Sequence, residues 1–432
     1  MGRLFKISRA EETIMDFQNA KRTKRACYYM NLSMASIFSF PPLLFATFRE
    51  MYGISYTLLG TLVVVNFCTQ LCVDLLLSFF GKYFNANKTI RITPLITAAG
   101  LGIYALVPLA FPQYAYVGFV AGTFIFSIAA GLGEVLISPT VAALPSKTPE
   151  RDMSALHSLY AYGFSAVVVI STLFLNIVGS EYWMYLAFFW AALPVGASLM
   201  MMKCELPDMN MEQVASGGKR SSVKIKGILL CILCIFLGSC AENTMSNWIS
   251  AYAEKALNIP KIWGDIAGMT LFAILLGLSR SMYAKYGRNI MKVLFFGMAG
   301  SVLCYLTAAF SMSAAISLIA CVLLGICTSM LWPGTLILME EKIPAVGVSA
   351  YALMAAGGDF GASVAPQALG IVVDNVAVSD WALSLGQKLA MTSEQIGFKT
   401  GMLLAAVFPL LGIMVLFIMK RFFKKHPKDT IV

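Results

Sequence analysis

The sequence predicts an all-α integral membrane protein of twelve transmembrane helices in two six-helix bundles, and three observations carry that prediction. The 432 residues are 59% hydrophobic and only 12% charged, far from the roughly half-apolar, quarter-charged soluble average. Apolar residues gather into runs about 20 residues long, the length a helix needs to cross the hydrocarbon core. Lys and Arg concentrate on alternate loops between those runs, as the positive-inside rule requires.

The first six runs extend from Ala26 to Phe48, Thr57 to Phe80, Ile92 to Phe111, Tyr114 to Pro139, Ser154 to Gly179 and Tyr182 to Met202. The second six extend from Gly227 to Ala253, Ile262 to Tyr283, Met291 to Phe310, Ala314 to Met339, Val346 to Val373 and Thr400 to Met419. With no water at that depth each segment must satisfy its own backbone, so the runs are helices and not barrel strands.

An even number of spans puts both termini on one side. The basic clusters Arg3 to Arg25, Lys82/Lys88/Arg91, Lys147/Arg151, Lys203 to Lys226, Arg280/Lys285/Arg288/Lys292, Lys342 and Lys420 to Lys428 all fall there. The opposite loops carry only Arg49, Lys255, Lys261, Lys388 and Lys399, so the side with the termini is expected to be the cytoplasm. The net charge of +10 is therefore topological, and its spread over separate loops excludes a nucleic-acid groove. The charged N-terminus lacks the short apolar stretch and cleavage site of a signal peptide.

Residues 1–25 read as a cytoplasmic N-terminal segment, 26–203 and 227–419 as the two bundles, and 420–432 as a cytoplasmic tail. Residues 204–226, with Ser216-Gly217-Gly218, read as a flexible cytoplasmic linker. The halves repeat: Pro139 precedes Gly163 by 24 residues, and Pro333 precedes Gly357 by the same 24. A parallel repeat of this kind is a transporter signature, with a substrate site expected near the bilayer midplane.

An ionisable group at mid-bilayer costs at least about 2.5–3.5 kcal/mol and faces a cavity or a partner. Asp74, Glu134, Glu242 and Asp359 are the acids so placed. Glu242, Asn243, Ser246, Asn247 and Ser250 occupy about 140° of a helical wheel, a sector too polar for lipid. We expect substrate binding from Glu242, Asn243, Asn247, Trp248, Trp332, Asp359 and Tyr160, the last beside His157, Ser158 and Tyr162. Asn66, Gln70 and Asp74 recur every fourth residue and point one way, as a gating or inter-half contact. The ten cysteines lie in spans, and Cys231 and Cys234 have no partner pair or histidine, so they read as small apolar residues and no metal site or cofactor is expected.

These residues resemble the major facilitator superfamily, and within it the fucose permease branch of proton-coupled sugar symporters. Gly131-Leu132-Gly133-Glu134 followed by Ser138-Pro139 is similar to that branch's fourth helix, with Ser138 replacing an asparagine. Ser154 to Gly163 resembles its fifth, where His157 and Tyr160 replace glutamine and asparagine. Ala241-Glu242 with Tyr252-Ala253 resembles the seventh, and Ser329 to Pro333 and Gly357-Gly358 to Pro366, Gly370 and Asp374 the tenth and eleventh. The branch's first-helix aspartate is missing, its place taken by Ile37 or Phe38. Glu134 is then the remaining acid in the core of the first bundle's central helices and the expected proton-coupling residue, with His157 as partner.

The leading functional expectation is a secondary active transporter, not an enzyme, moving a small polar solute, a sugar or sugar derivative, with protons. The chain has no Walker motif. Its partners are then the solute, protons and lipid, and the chain is expected to act as a monomer in the cell membrane. The rival is an efflux carrier for amphipathic compounds, since one fold serves many solutes. A transport-dead membrane sensor comes third, for want of an appended signalling domain.

Overall fold

Helices account for every regular element among the residues described in the computed structural model, namely 2–80, 83–146, 149–207, 222–343 and 348–427. The middle of the expected linker and the last residues of the tail lie outside the described residues. Among the described residues ten helices are long and apolar enough to span a membrane, and the count is twelve if each of two bent pairs is one span.

The first six spans are α1 (Gly2–Leu43) continued by α2 (Phe45–Tyr52), α3 (Tyr56–Phe80), α4 (Ala86–Ala110), α5 (Ala115–Ala143), α6 (Pro149–Val178) and α7 (Trp183–Met202). The second six begin with α8 (Ser222–Ala251), and α9 (Lys261–Trp263) runs through the π-helical Gly264–Thr270 into α10 (Leu271–Tyr286). They continue with α11 (Ile290–Phe310), α12 (Ala314–Thr328) with α13 (Leu331–Lys342) in one span, α14 (Val348–Ala377) with α15 (Asp380–Leu389), and α16 (Ser393–Lys425).

Breaks in these spans have local causes. Pro41 and Pro42 end α1, and α2 departs at 49°, because proline removes a donor and crowds the preceding turn. At the end of α14 the chain turns by 80° into α15, which Ser379 caps by accepting from the Ala382 amide.

The twelfth span starts at Ser393, seven residues before the expected Thr400. Thr392 and Gln395 form a reciprocal capping box that fixes the earlier start. The charge that argued against a helix there, Lys399, reaches the Ser311 carbonyl at 2.6 Å, as long cations near a membrane surface do.

Close packing follows from small residues at contacts, since lipid gives apolar helices little reason to associate. A Cβ at Gly361 would stand 2.3 Å from the Phe236 carbonyl oxygen, and one at Gly370 would stand 2.4 Å from that of Tyr56. The first contact holds α14 to α8, and the second draws α14 of the second half onto α3 of the first. Within the first half, Phe48 stacks on Phe119 at 4.1 Å with Trp183 edge-on.

Gly370→Ala is expected to force α3 and α14 apart and to cost about 1–3 kcal/mol, the range for overpacking. Thermal unfolding in detergent should show a clearly lower midpoint than for a Gly102→Ala control, where a Cβ meets open space. Equal midpoints would mean that the contact is not tight.

Candidate functional site

Between the halves lies a cavity of about 220 Å³. Its two walls differ in chemistry. From the first half come Phe38 of α1, Asn66 and Phe67 of α3, and Tyr160 and Phe164 of α6. The second half supplies Glu242, Asn243, Ser246 and Asn247 of α8, with Phe272, Ala273, Leu276, Gly277, Arg280 and Ser281 of α10. The aromatic faces of the first half thus oppose carboxylate, amide, hydroxyl and guanidinium groups that stand among apolar side chains. Phe38 meets Tyr160 edge-to-face at 5.8 Å, a favoured arrangement of ring quadrupoles that orders this wall.

The polar wall centres on Arg280, which the sequence reading counted with the basic cluster at the end of the eighth span. It lies within α10, and Nη2 donates to Glu242 Oε1 and Oε2 at 3.1 and 3.3 Å. Nε donates to the Ser329 carbonyl at 2.8 Å. That carbonyl is free because its partner along the helix would be the amide of residue 333, and Pro333 has none. The α12–α13 break is thereby tied to the cavity wall. Water reaches the guanidinium, 39% exposed, so the pair contributes less than the about 3–5 kcal/mol lost when a fully buried pair is broken.

Of the expected substrate residues, Tyr160, Glu242, Asn243 and Asn247 line the cavity, while Trp248, Trp332 and Asp359 do not. Trp248 is fully buried and donates from Nε1 to the Pro366 carbonyl, with its ring against Phe45, Tyr56 and Phe398. Trp332 packs against Gly358, where helix packing explains its size. Tyr162 points outward at 65% exposure. The His157 side chain lies outside the described residues, so its pairing with Glu134 stays an expectation.

The expected gating ladder on α3 divides. Asn66 reaches the cavity and accepts at Oδ1 from Gln70 Nε2 at 3.1 Å and from Ser127 Oγ at 2.6 Å. Asp74, two turns further, meets Glu134 of α5 and Asp359 of α14, with one carboxylate oxygen of each within 4.8 Å of the others. Three acids given different tasks by the sequence reading are therefore one cluster.

On the face away from the termini the halves are sealed by polar contacts. Asp374 accepts from the amides of Tyr56 and Thr57 at 3.2 and 2.6 Å, capping α3 from the other half, where the helix dipole favours an anion. Arg49 lies 3.6 Å from Asp374 and donates to Glu394 at 3.1 Å, and Glu394 also accepts from the Tyr56 hydroxyl. Lys255 pairs with Glu50. The fully buried Asp265 accepts from Thr172 of the first half and from Ser250, with Lys261 at 3.3 Å.

Residues 26–366 match the profile of the Major Facilitator Superfamily. The chain belongs to that superfamily. No curated protein matches it at a significant level. Among solved structures, a bacterial homologue of the human lysosomal transporter Spinster, inward-facing and occupied, superposes with a TM-score of 0.72 at 10% identity, over 93% of this chain and 97% of that one. A variant of the E. coli fucose:proton symporter gives 0.58 at 14% identity, over 93% and 98%. A nucleoside transporter gives 0.64 at 16%, over 94% and 99%. At these identities the likeness shows the fold alone, and it is membership of the superfamily that makes this chain a transporter, without naming its solute.

The far seal is expected to govern access. Asp374→Asn with Glu394→Gln weakens a helix cap and removes both ion pairs of Arg49, about 1–2 kcal/mol in all, enough to shift a two-state equilibrium five-fold or more. A membrane-impermeant thiol reagent added at the far face should label a Ser246→Cys reporter at least five times faster in that background, after correction for native thiols. Unchanged labelling would mean that these contacts do not hold the face shut.

Proposed function

We propose that this protein is a secondary active transporter of a small polar solute, a sugar or sugar derivative, moved by alternating access and coupled to protons. The cavity's opposed walls carry the reading. A polyhydroxylated ring can stack on Phe38, Phe67 or Tyr160 and donate and accept hydrogen bonds across from them, at Glu242, Asn243, Asn247 and Arg280. The volume of about 220 Å³ lies below the roughly 300–1,000 Å³ of drug-sized sites, which favours a small solute over an amphipathic drug. Fucose transport by a protein of the same fold agrees with this choice.

In this reading the face with the termini is cytoplasmic, residues 26–203 and 227–419 rock as units, and the chain acts as a monomer in the cell membrane. The far seal is closed, so solute would exchange with the cytoplasmic side. Glu134 is the coupling residue, exposed while its neighbours Asp74 and Asp359 are buried. It can take a proton from solution that offsets the cluster's charge.

Proteoliposomes loaded with monosaccharides test the solute. Glu242→Ala, Asn247→Ala and Arg280→Ala should each lower counterflow at least tenfold with protein level unchanged, whereas Tyr162→Phe, facing outward, should not. Counterflow unaffected in the first three would remove the cavity as the binding site.

Coupling is tested by Glu134→Gln, which keeps the size of the neutral acid and forbids titration. Accumulation driven by a proton gradient should vanish while solute exchange survives. A Gln variant that still accumulates solute against its gradient would exclude Glu134 as the coupling residue.

A further inference from the structure

We propose that Asp74, Glu134 and Asp359 form a binding site for a hard metal cation that joins the two halves of the protein. The first half supplies Asp74 from α3 and Glu134 from α5, and the second supplies Asp359 from α14. One oxygen from each lies within 4.8 Å of the other two, so the three can close on one ion at the about 2.3–2.6 Å typical of oxygen ligands with at most a small side-chain adjustment.

The orphaned oxygens of two members set this cluster apart from a chance gathering of acids. Asp74 and Asp359 are 4% and 3% exposed, and Asp74 Oδ1 and Asp359 Oδ2 have no hydrogen-bond donor. Among the described residues no Lys, Arg or His forms an ion pair with any of the three. The other acids within the spans are met: Glu242 by Arg280, and Asp265 by Lys261, Ser250 and Thr172. Carboxylates buried without donors or counter-charge are strongly disfavoured, so the positive charge comes from solution.

Three carboxylates and no imidazole among the described ligands select hard ions such as Na⁺, Mg²⁺ or Ca²⁺ over zinc or copper. Glu134, the exposed member, gives the ion its way in. Because the ligands come from both halves, an ion bound there ties α14 to α3 and α5. The site shares Glu134 with the proton-coupling reading, since a proton and a metal ion are alternative means of offsetting the same charge. It is nevertheless a property of equilibrium binding and needs neither solute nor gradient to be observed.

The test uses the purified full-length chain in detergent, freed of metal with a chelator. Thermal unfolding is followed while NaCl, MgCl₂ or CaCl₂ is titrated against choline chloride at matched ionic strength. At least one ion should raise the midpoint by several degrees with a saturable dependence. Asp359→Asn and Glu134→Gln should each weaken its apparent affinity at least tenfold, and Asp380→Asn on the exposed α15 should leave it unchanged. If Asp359→Asn does not fold, Glu134→Gln at the exposed member decides alone. No saturable shift with any of the three ions, or undiminished affinity in Glu134→Gln, overturns the metal site. Proton-driven accumulation by wild-type protein that binds no metal would overturn this inference while leaving the coupling reading intact, whereas metal binding by a protein without proton-driven uptake would do the reverse.

Discussion

A charge inside the hydrocarbon layer must be offset by another group, and the polar architecture of this protein is arranged around that constraint. The far seal meets it with Lys255 against Glu50 and Lys261 against Asp265. It also uses the amide ends of α3 against Asp374, beside the Arg49 guanidinium. The cavity meets it with Arg280 against Glu242. Since lipid supplies no hydrophobic drive for helices to associate, these directional contacts decide how the halves sit, and glycines such as Gly370 let the backbones come close enough to make them.

The fold was legible in the sequence because the membrane enforces it. Run length and the need of each segment to satisfy its own backbone report physical requirements of the bilayer, and the helices that match the expected spans differ from them chiefly at their ends. The twelfth span was read too short because Lys399 looks like a boundary in a hydropathy reading, while in three dimensions its ammonium reaches the carbonyl of Ser311. The α12–α13 break went unseen for the opposite reason, as Ser329 to Pro333 is short enough to disappear inside an apolar run.

The site was half legible. Periodicity grouped Glu242, Asn243 and Asn247 because they share one helix face, which lines the cavity, and a wheel sees only one helix at a time. It could not see that Arg280 belongs opposite Glu242, since Arg280 lies a little over one turn before Lys285 and was absorbed into that loop's charge. Nor could it tell that Trp248 and Trp332 face neighbouring helices, because an aromatic ring at mid-span suits a cavity and a packed seam equally. The proline at 333 was the available signal: a proline in a span frees a carbonyl one turn earlier, and a free carbonyl needs a donor.

The cavity and the carboxylate cluster are joined by a single face of α3. Asn66 stands in the cavity wall, Gln70 donates to it, and Asp74 lies in the cluster, at successive four-residue steps that span about 12 Å along the axis. Solute contacts at Asn66 and charge compensation at Asp74 therefore act on one rigid element, packed along its length against α14 of the opposite half. The same α14 carries Asp359 into the cluster at one end and Asp374 onto the amides of α3 at the other. Parting α14 from α3 at either face breaks a polar contact there. The far contact is made entirely within the chain, so it can persist with nothing bound. The cluster has only negative groups of its own, so its closure depends on what it binds. Under the proposed cation site the far face is thus held by the chain's own pairing and the other by a cation from solution, so the two faces are held by different means.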